Sequence, residues 1–532
     1  MVAHYDLPID GVVIDGWNLT IDTVAGVAAG QSDRVRIAPS AVRAMRKARD
    51  LKQDLVNGGR PSYGLSTIFG DSVIRQITSA KTAQLQQNLI RYHRNGTGKD
   101  VPADVVRATL LIRANCLARG RSGIRPEIVG ALVDLLNADA LPRIPERGSV
   151  GASGDLVPLS YLASTLLGEG MLSYRGEECA AEDVLAELGL RPVELEAKEG
   201  LALINGTAFS SAFAAIATYR ASQLVPVAEL CTALAAEAAL ATRGHFDSFI
   251  HDNKPHPGQV ASASAVAELL ADSRLALDHS EVVEQTGGVD VGDAELSNSL
   301  RDHYSIRCAP QVIGVLRDTL SWVRDWIEVE VNSANDNPLF DVATGQAHSG
   351  GNFYGGHIAQ AMDSLKTAVA NVADLLDRQL ENLVDGESDY GRGPNLIVSV
   401  ATDEWQTGPN HRFKGMRIAS SALTAEALQR SLPAGVFSRS TEAHNQDKVS
   451  MSATAARDAL HVVTLAEEVT AIQLLALCQA LDLRGIGRSA SRLRSVHALV
   501  RNHVPTGTSG RAMDADIAAV LGLIRSGELL LA

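Results

Sequence analysis

The run Arg147-Gly-Ser-Val-Gly-Ala-Ser-Gly-Asp-Leu-Val-Pro-Leu-Ser160 holds three residues that can react with one another. Glycines at 148, 151 and 154 let the backbone adopt compressed dihedrals closed to other residues. The amide nitrogen of Gly154 can then attack the carbonyl carbon of Ala152. Loss of two waters, one of them from Ser153, leaves a methylidene-imidazolone ring, a strong electrophile made from the chain itself. An apolar run from Leu156 to Leu167 follows at once and predicts a helix, with Asp155 near its N-cap. Taken alone, Ala152-Ser153-Gly154 also reads as a flexible turn.

The longer run Gly151-Ala-Ser-Gly-Asp-Leu-Val-Pro-Leu-Ser160 resembles the signature of the aromatic amino acid ammonia-lyases. That family includes histidine, phenylalanine and tyrosine ammonia-lyases and related aminomutases. The resemblance implies a methylidene-imidazolone formed autocatalytically from Ala152, Ser153 and Gly154, with no metal and no dissociable cofactor. It implies elimination of ammonia from an aromatic amino acid. Such a reaction needs the electrophile, a base for a barely acidic β-proton, and a cation to fix the carboxylate.

Further motifs, spread over residues 60–450, resemble the same family. Tyr63, in Tyr63-Gly-Leu-Ser-Thr-Ile-Phe-Gly70, is the implied base on a glycine-rich lid. By residue type alone it reads as a tyrosine packed on a loop. A phenol with pKa near 10 needs positive potential nearby to act as a base at neutral pH. Ile68 and Ser66 depart from the usual family pattern, so lid flexibility or pocket width is expected to differ. Arg307, in Arg301-Asp-His-Tyr-Ser-Ile-Arg307, suits a carboxylate through two parallel hydrogen bonds. Tyr304 lies three residues earlier and faces the same way if the segment is helical; by resemblance it positions the reacting atoms. Arg301 stands where Gln is usual, and a surface salt bridge explains it equally well. Asn205, in Leu203-Ile-Asn-Gly-Thr207, is implied to hydrogen-bond the imidazolone oxygen, and Leu203 to touch substrate. Asn335, within Asn332-Ser-Ala-Asn-Asp-Asn-Pro-Leu-Phe340, is an implied substrate-side residue, though such a cluster also makes a good helix terminus. Phe353 can stack on the substrate ring or pack in the core.

Two places bear on the substrate. Histidine ammonia-lyases typically carry Glu where this chain has Gln446, in His444-Asn-Gln-Asp-Lys-Val-Ser-Met-Ser452, which argues against histidine. Tyr92 and His93, by resemblance, lie at the ring end of the pocket, where phenylalanine-selective members prefer apolar residues. A histidine there suits a ring with a polar substituent. The alternative is a solvated residue at a helix end. Tyrosine or a ring-substituted phenylalanine is the expected substrate and phenylalanine a further one, giving coumarate or cinnamate. Histidine ammonia-lyase and 2,3-aminomutase chemistry are the alternatives.

The elements that must hold these groups are mostly helices. The chain has 532 residues, a net charge of −14 and only 4% aromatic residues, with abundant Ala and Leu. That balance argues for a soluble protein and against nucleic acid as its partner. The 5 cysteines are widely spaced without a CxxC pair, so neither a zinc site nor a disulfide framework is expected, and a reducing compartment fits. The first residues lack a basic start and an apolar core, so no signal peptide is expected and a cytoplasmic location is. Thr207–Ala241 is the most apolar stretch, but Arg220, Glu229 and Glu237 interrupt it, as suits a buried helix rather than a membrane span.

Helical periodicity is predicted over 40–56, 74–94, 102–118, 126–138, 207–242, 258–272, 310–333, 354–385, 415–431 and 450–482. Residues 8–37 suit a small strand-containing cap, and 171–197 look peripheral. The expected fold is mainly α: a long-helix bundle with a smaller mixed N-terminal lobe. The expected segments are an N-terminal lobe over 1–200 carrying the lid and the Ala-Ser-Gly, a central bundle over 201–482, and short helices over 483–532. Family resemblance further implies a homotetramer whose active sites draw on three subunits, and a compact bacterial-type enzyme. A serine hydrolase is disfavoured because Asp155 breaks the Gly-x-Ser-x-Gly pattern. A non-enzymatic helical scaffold remains the rival from another class.

Overall fold

The computed structural model describes residues 11–31, 34–58, 63–65, 67–78, 81–285, 301–384, 396, 412–506 and 511–532. Ser66 lies outside them. The fold is mainly helical, with small two- and three-stranded sheets. The chain forms two compact units: residues 1–219, 323–363 and 433–460 make the first, and residues 220–322, 364–432 and 461–532 the second.

In the first unit, the helix Ala103–Ala118 is buried on nearly every face from Val105 onward. Its sequence has almost no polar stripe, so it takes the centre. The helices Ile21–Ala28 and Pro126–Asn137 pack against it. The expected N-terminal cap is the parallel pair Val12–Ile14 and Val35–Ile37, with the helix Ile21–Ala28 between them in sequence. The peripheral stretch forms the hairpin Met171–Tyr174 with Glu177–Ala180, then the helix Ala181–Glu187.

Among the described residues of the helix predicted over 74–94, Thr82–His93 is helical and 74–78 are not. Before it lies a short 3₁₀ turn, Gly70–Ser72, and Gln76 bridges back to Thr67. Ile74 is 88% exposed, so the apolar stripe that would hold the first turns has nothing to pack on.

The longest helices follow: Ala208–Ala239, Ala309–Val331, Gly356–Val384 and Ser452–Arg484. Among the described residues, Ser452–Arg484 is the helix long and apolar enough to cross a membrane, yet most of it is buried inside the protein. In the second unit these helices are stitched by polar contacts. Arg220 forks onto Glu467, with Nε to Oε1 at 2.8 Å, and Arg317 onto Glu229 at 2.7 and 2.8 Å. Gln379 donates to Thr232 Oγ1 at 3.1 Å and accepts from Gln473 at 2.6 Å. Bidentate geometry of this kind fixes register as well as proximity.

Candidate active site

Gly151 and Gly154 both sit in the left-handed region, at φ +67° and +72°. A Cβ on Gly154 would lie 2.2 Å from Gly206 O, so only glycine fits. Residues 150–155 run between two other segments. On one side Met451 N donates to Val150 O at 3.0 Å. On the other, Asp155 N donates to Gly206 O at 2.7 Å, and Asn205 Nδ2 donates to Ser153 O at 2.7 Å.

Asp155 stands at the N-cap position of the helix Leu156–Leu166, but its carboxylate bonds no amide of that helix. It accepts instead from Ser210 N and Oγ, both at 2.8 Å, and from Ser149 Oγ at 2.9 Å. The carboxylate thus serves the first turn of Ala208–Ala239, whose free amides attract an anion. Burial pushes the Asp155 carboxyl up, and the bonds from Ser210 and Ser149 act the other way.

Beside this segment opens a cavity of about 800 Å³. Of the residues singled out in the sequence, Tyr63, Tyr92, His93, Ala152, Ser153, Asn205, Phe353 and Gln446 line it. All belong to the first unit. The cavity is lined by the lid loop, the C-terminal end of Thr82–His93, the Ala-Ser-Gly segment and the turn at 441–446.

Tyr63 OH accepts a hydrogen bond from Gly70 N at 3.2 Å, and its ring meets Phe69 edge-on. Burial raises the Tyr63 pKa, the Gly70 amide opposes this, and the Glu442 carboxylate adds to the rise. The Tyr92 and His93 rings lie 4.5 Å apart. His93 Nδ1 is 2.8 Å from Leu89 O, a bond it can make only as a donor. Burial lowers the His93 pKa, so near pH 7 the ring is neutral and Nε2 is an acceptor. Burial raises the Tyr92 pKa to about 12, leaving its hydroxyl protonated. Gln446 Nε2 donates to Ser153 Oγ at 3.2 Å, while Gln446 Oε1 accepts from Thr441 Oγ1 at 2.9 Å. The intervening turn holds Glu442, Ala443 and His444 at φ between +51° and +65°, an uncommon conformation for such residues.

Five singled-out residues do not line this cavity. Gly154 and Leu203 are buried behind it, and Leu201 lines it in place of Leu203. Asn335 is buried on the far side of the Asn205–Thr207 turn, donating to Thr207 Oγ1 at 2.7 Å. Tyr304 and Arg307 belong to the second unit. They do form one helical turn, Tyr304–Arg307, with the guanidinium 4.3 Å from the Tyr304 ring centre. Tyr304 is 70% exposed, and Arg307 has no carboxylate partner among the described residues. Arg301 is exposed, and Ile68 is half-buried within the lid.

Glu442 was not singled out by sequence reasoning, yet it lines the cavity. A Cβ on Gly70 would meet Glu442 Oε1 at 1.5 Å, so the carboxylate lies against the lid backbone. Its signal was the glycine at position 70 together with an acid in the run before His444.

The arrangement places Ala152, Ser153 and Tyr63 on the wall of one pocket, with Tyr92 and His93 on the same wall. Residues 19–502 match the family of aromatic amino acid lyases. The chain belongs to this family. It is accordingly a carbon–nitrogen lyase. Among its relatives, a histidine ammonia-lyase from Stigmatella aurantiaca is 40% identical over 517 residues, 97% of each chain. A tyrosine ammonia-lyase from Cupriavidus metallidurans is 38% identical over 524 residues, covering 97% of this chain and 96% of that protein. The fold is similar to the crystal structure of a tyrosine aminomutase from Streptomyces globisporus, with TM-score 0.91, 35% identity and 98% of both chains covered. The lyase family and its long-helix fold therefore agree with the resemblance carried by Gly151–Ser160.

Proposed function

We propose that this lyase eliminates ammonia non-oxidatively from L-tyrosine, or a close ring-hydroxylated relative, to give the trans-arylacrylate, with L-phenylalanine as a further substrate. The observation that carries the substrate choice is the neutral His93. Its Nδ1 is occupied by Leu89 O at 2.8 Å, which leaves Nε2 to accept from a phenol hydroxyl. A ring without a donor leaves that nitrogen without a partner from the substrate. Gln446, an uncharged amide, supports the same choice.

Ala152, Ser153 and Gly154 fit the proposed imidazolone. The left-handed Gly154 has no room for a side chain, and Asn205 Nδ2 already donates to Ser153 O, the oxygen that the ring would keep. Once formed, the group supplies an electrophilic methylidene carbon that assists departure of the amine. Tyr63 takes the β-proton. Its pKa is raised by burial and by Glu442, so it needs a cation close by when substrate is bound. Arg307 supplies that charge and grips the substrate carboxylate, with Tyr304 beside it. We assign these two residues to a neighbouring subunit of a homotetramer, which accords with the exposure of Tyr304 and with their membership of the other unit. Phe353 packs on the substrate ring. Asn335 acts at one remove, through Thr207 and the Asn205 turn. A cytoplasmic setting suits this activity.

The test is kcat/KM for L-tyrosine, L-phenylalanine and L-histidine, followed by arylacrylate absorbance and free ammonia. Tyrosine leads on this account. His93→Phe costs tyrosine about 1–3 kcal/mol in the transition state, roughly five- to 150-fold, and leaves phenylalanine less affected. Preference for histidine by the parent enzyme refutes the assignment. That second reading has its own support in the Stigmatella aurantiaca relative and in the Glu442 carboxylate within the pocket. A β-amino acid product would assign an aminomutase instead.

A further inference from the structure

Arg113 lies on the central helix Ala103–Ala118 and is completely buried. It makes no direct ion pair among the described residues. Its guanidinium instead grips one turn of backbone: Nη2 donates to Ala202 O and, at 2.9 Å, to Asn205 O. Nη1 donates to Asn335 Oδ1 at 3.0 Å. Asn335 Nδ2 in turn donates to Thr207 Oγ1 at 2.7 Å, and Thr207 Oγ1 to Glu330 Oε1 at 2.5 Å. The Asn205 carbonyl and the Thr207 hydroxyl are thus pinned from the side away from the cavity.

The same turn meets the Ala-Ser-Gly segment on its other side. Asn205 Nδ2 holds Ser153 O and Gly206 O holds Asp155 N, both at 2.7 Å. The packing is tight through all three layers. A Cβ on Gly154 would lie 2.2 Å from Gly206 O, and a Cβ on Gly206 would lie 2.2 Å from Arg113 Nη1. Residues 153–155 therefore press on Gly206, and Gly206 presses on Arg113. Interiors packed this closely transmit compression rather than absorb it.

We propose that Arg113 is a positioning residue for formation of the electrophile: it backs the Asn205–Thr207 turn so that the turn cannot recede while Ala152-Ser153-Gly154 closes. This rests on the proposed self-processing of that segment. In closure a bond forms between Gly154 N and the Ala152 carbonyl carbon. The Ala152 oxygen leaves as water with the amide hydrogens of Gly154 and Ser153. The Ser153 hydroxyl leaves as a second water with its Cα hydrogen, and no oxidant is consumed. Ser153 O survives as the ring carbonyl and keeps its bond from Asn205. A lysine at 113 keeps the charge but cannot donate to two carbonyls and an amide in one plane.

The experiment compares the parent enzyme with Arg113→Lys, taking only the folded fraction from size exclusion with parental circular dichroism. The peptide containing residues 152–154 is weighed by mass spectrometry, where closure appears as the loss of two water masses. The expected result is at least a tenfold lower closed fraction in Arg113→Lys. Folded Arg113→Lys with the parental closed fraction overturns the proposal. Should Arg113→Lys yield no folded protein, Asn335→Ser removes one arm of the clamp and keeps both carbonyl bonds. Its closed fraction is expected to fall severalfold, and parental closure in it overturns the proposal. A parent enzyme with no closed peptide refutes the self-processing itself, a separate outcome read from the same spectrum.

Discussion

The side chains at the two ends of the pocket titrate in opposite senses. Burial lowers the His93 pKa below its ordinary value of about 6.5, so the ring is an acceptor near neutrality and becomes a cation only in more acidic solution. The preference for tyrosine over phenylalanine is therefore expected to hold at pH 7 and to fall as pH drops through the lowered His93 value. Ratios of kcat/KM measured between pH 5 and 8 check this, and a ratio that rises on acidification contradicts it. Tyr63 titrates the other way: its raised pKa makes the basic form scarce at pH 7, so kcat/KM climbs with pH. Glu442→Gln removes a negative charge that favours the neutral phenol, and the alkaline limb of the profile should move to lower pH. A limb that stays or moves up would show that Glu442 does not act on Tyr63. Ser153, Asn205 and Gln446 were legible in the sequence because each sits in a contiguous motif. Glu442 and Arg113 were not, because a lone acid or a lone arginine on an apolar helix acquires meaning only from partners distant in sequence.

At the scale of elements, the long helices were legible because Ala and Leu recur over many turns and burial rewards them. The described stretch 74–78 departs from the expected helix: its periodicity is short, and Ile74 finds no surface to pack on. Asp155 has the right type and place for an N-cap, yet its carboxylate is drawn to Ser210 at the start of another helix. That choice depends on how helices meet, which local sequence does not encode. The Ala-Ser-Gly segment is held between the 450–451 and 205–206 strands of backbone, and glycine at 154 is demanded on two counts. Gly154→Ala places a Cβ 2.2 Å from Gly206 O at φ +72°, and is expected to cost about 1–3 kcal/mol of stability. Urea denaturation of the two proteins checks the figure. Unchanged stability would mean that the contact between residues 154 and 206 is looser than described.

For the whole molecule, the cavity is lined within one unit, whereas Tyr304 and Arg307 belong to the other; the Tyr304 ring is exposed, and Arg307 has no carboxylate partner among the described residues. Sequence reasoning joined them to the site by resemblance, and the proposed assembly brings them from a neighbouring subunit. If sites are shared between subunits, two inactive variants can complement each other. Co-expressed Ser153→Ala and Arg307→Leu chains are expected to recover part of the parental activity in mixed oligomers, each variant alone having almost none. No recovery in oligomers proven to be mixed argues that each chain completes its own site. The proposed elimination turns on Ser153. Its most direct test is ammonia release from L-tyrosine by the parent and by folded Ser153→Ala. Loss on the order of a thousandfold or more is predicted, the scale at which removing a covalently acting group is felt, and release at the parental rate would contradict it.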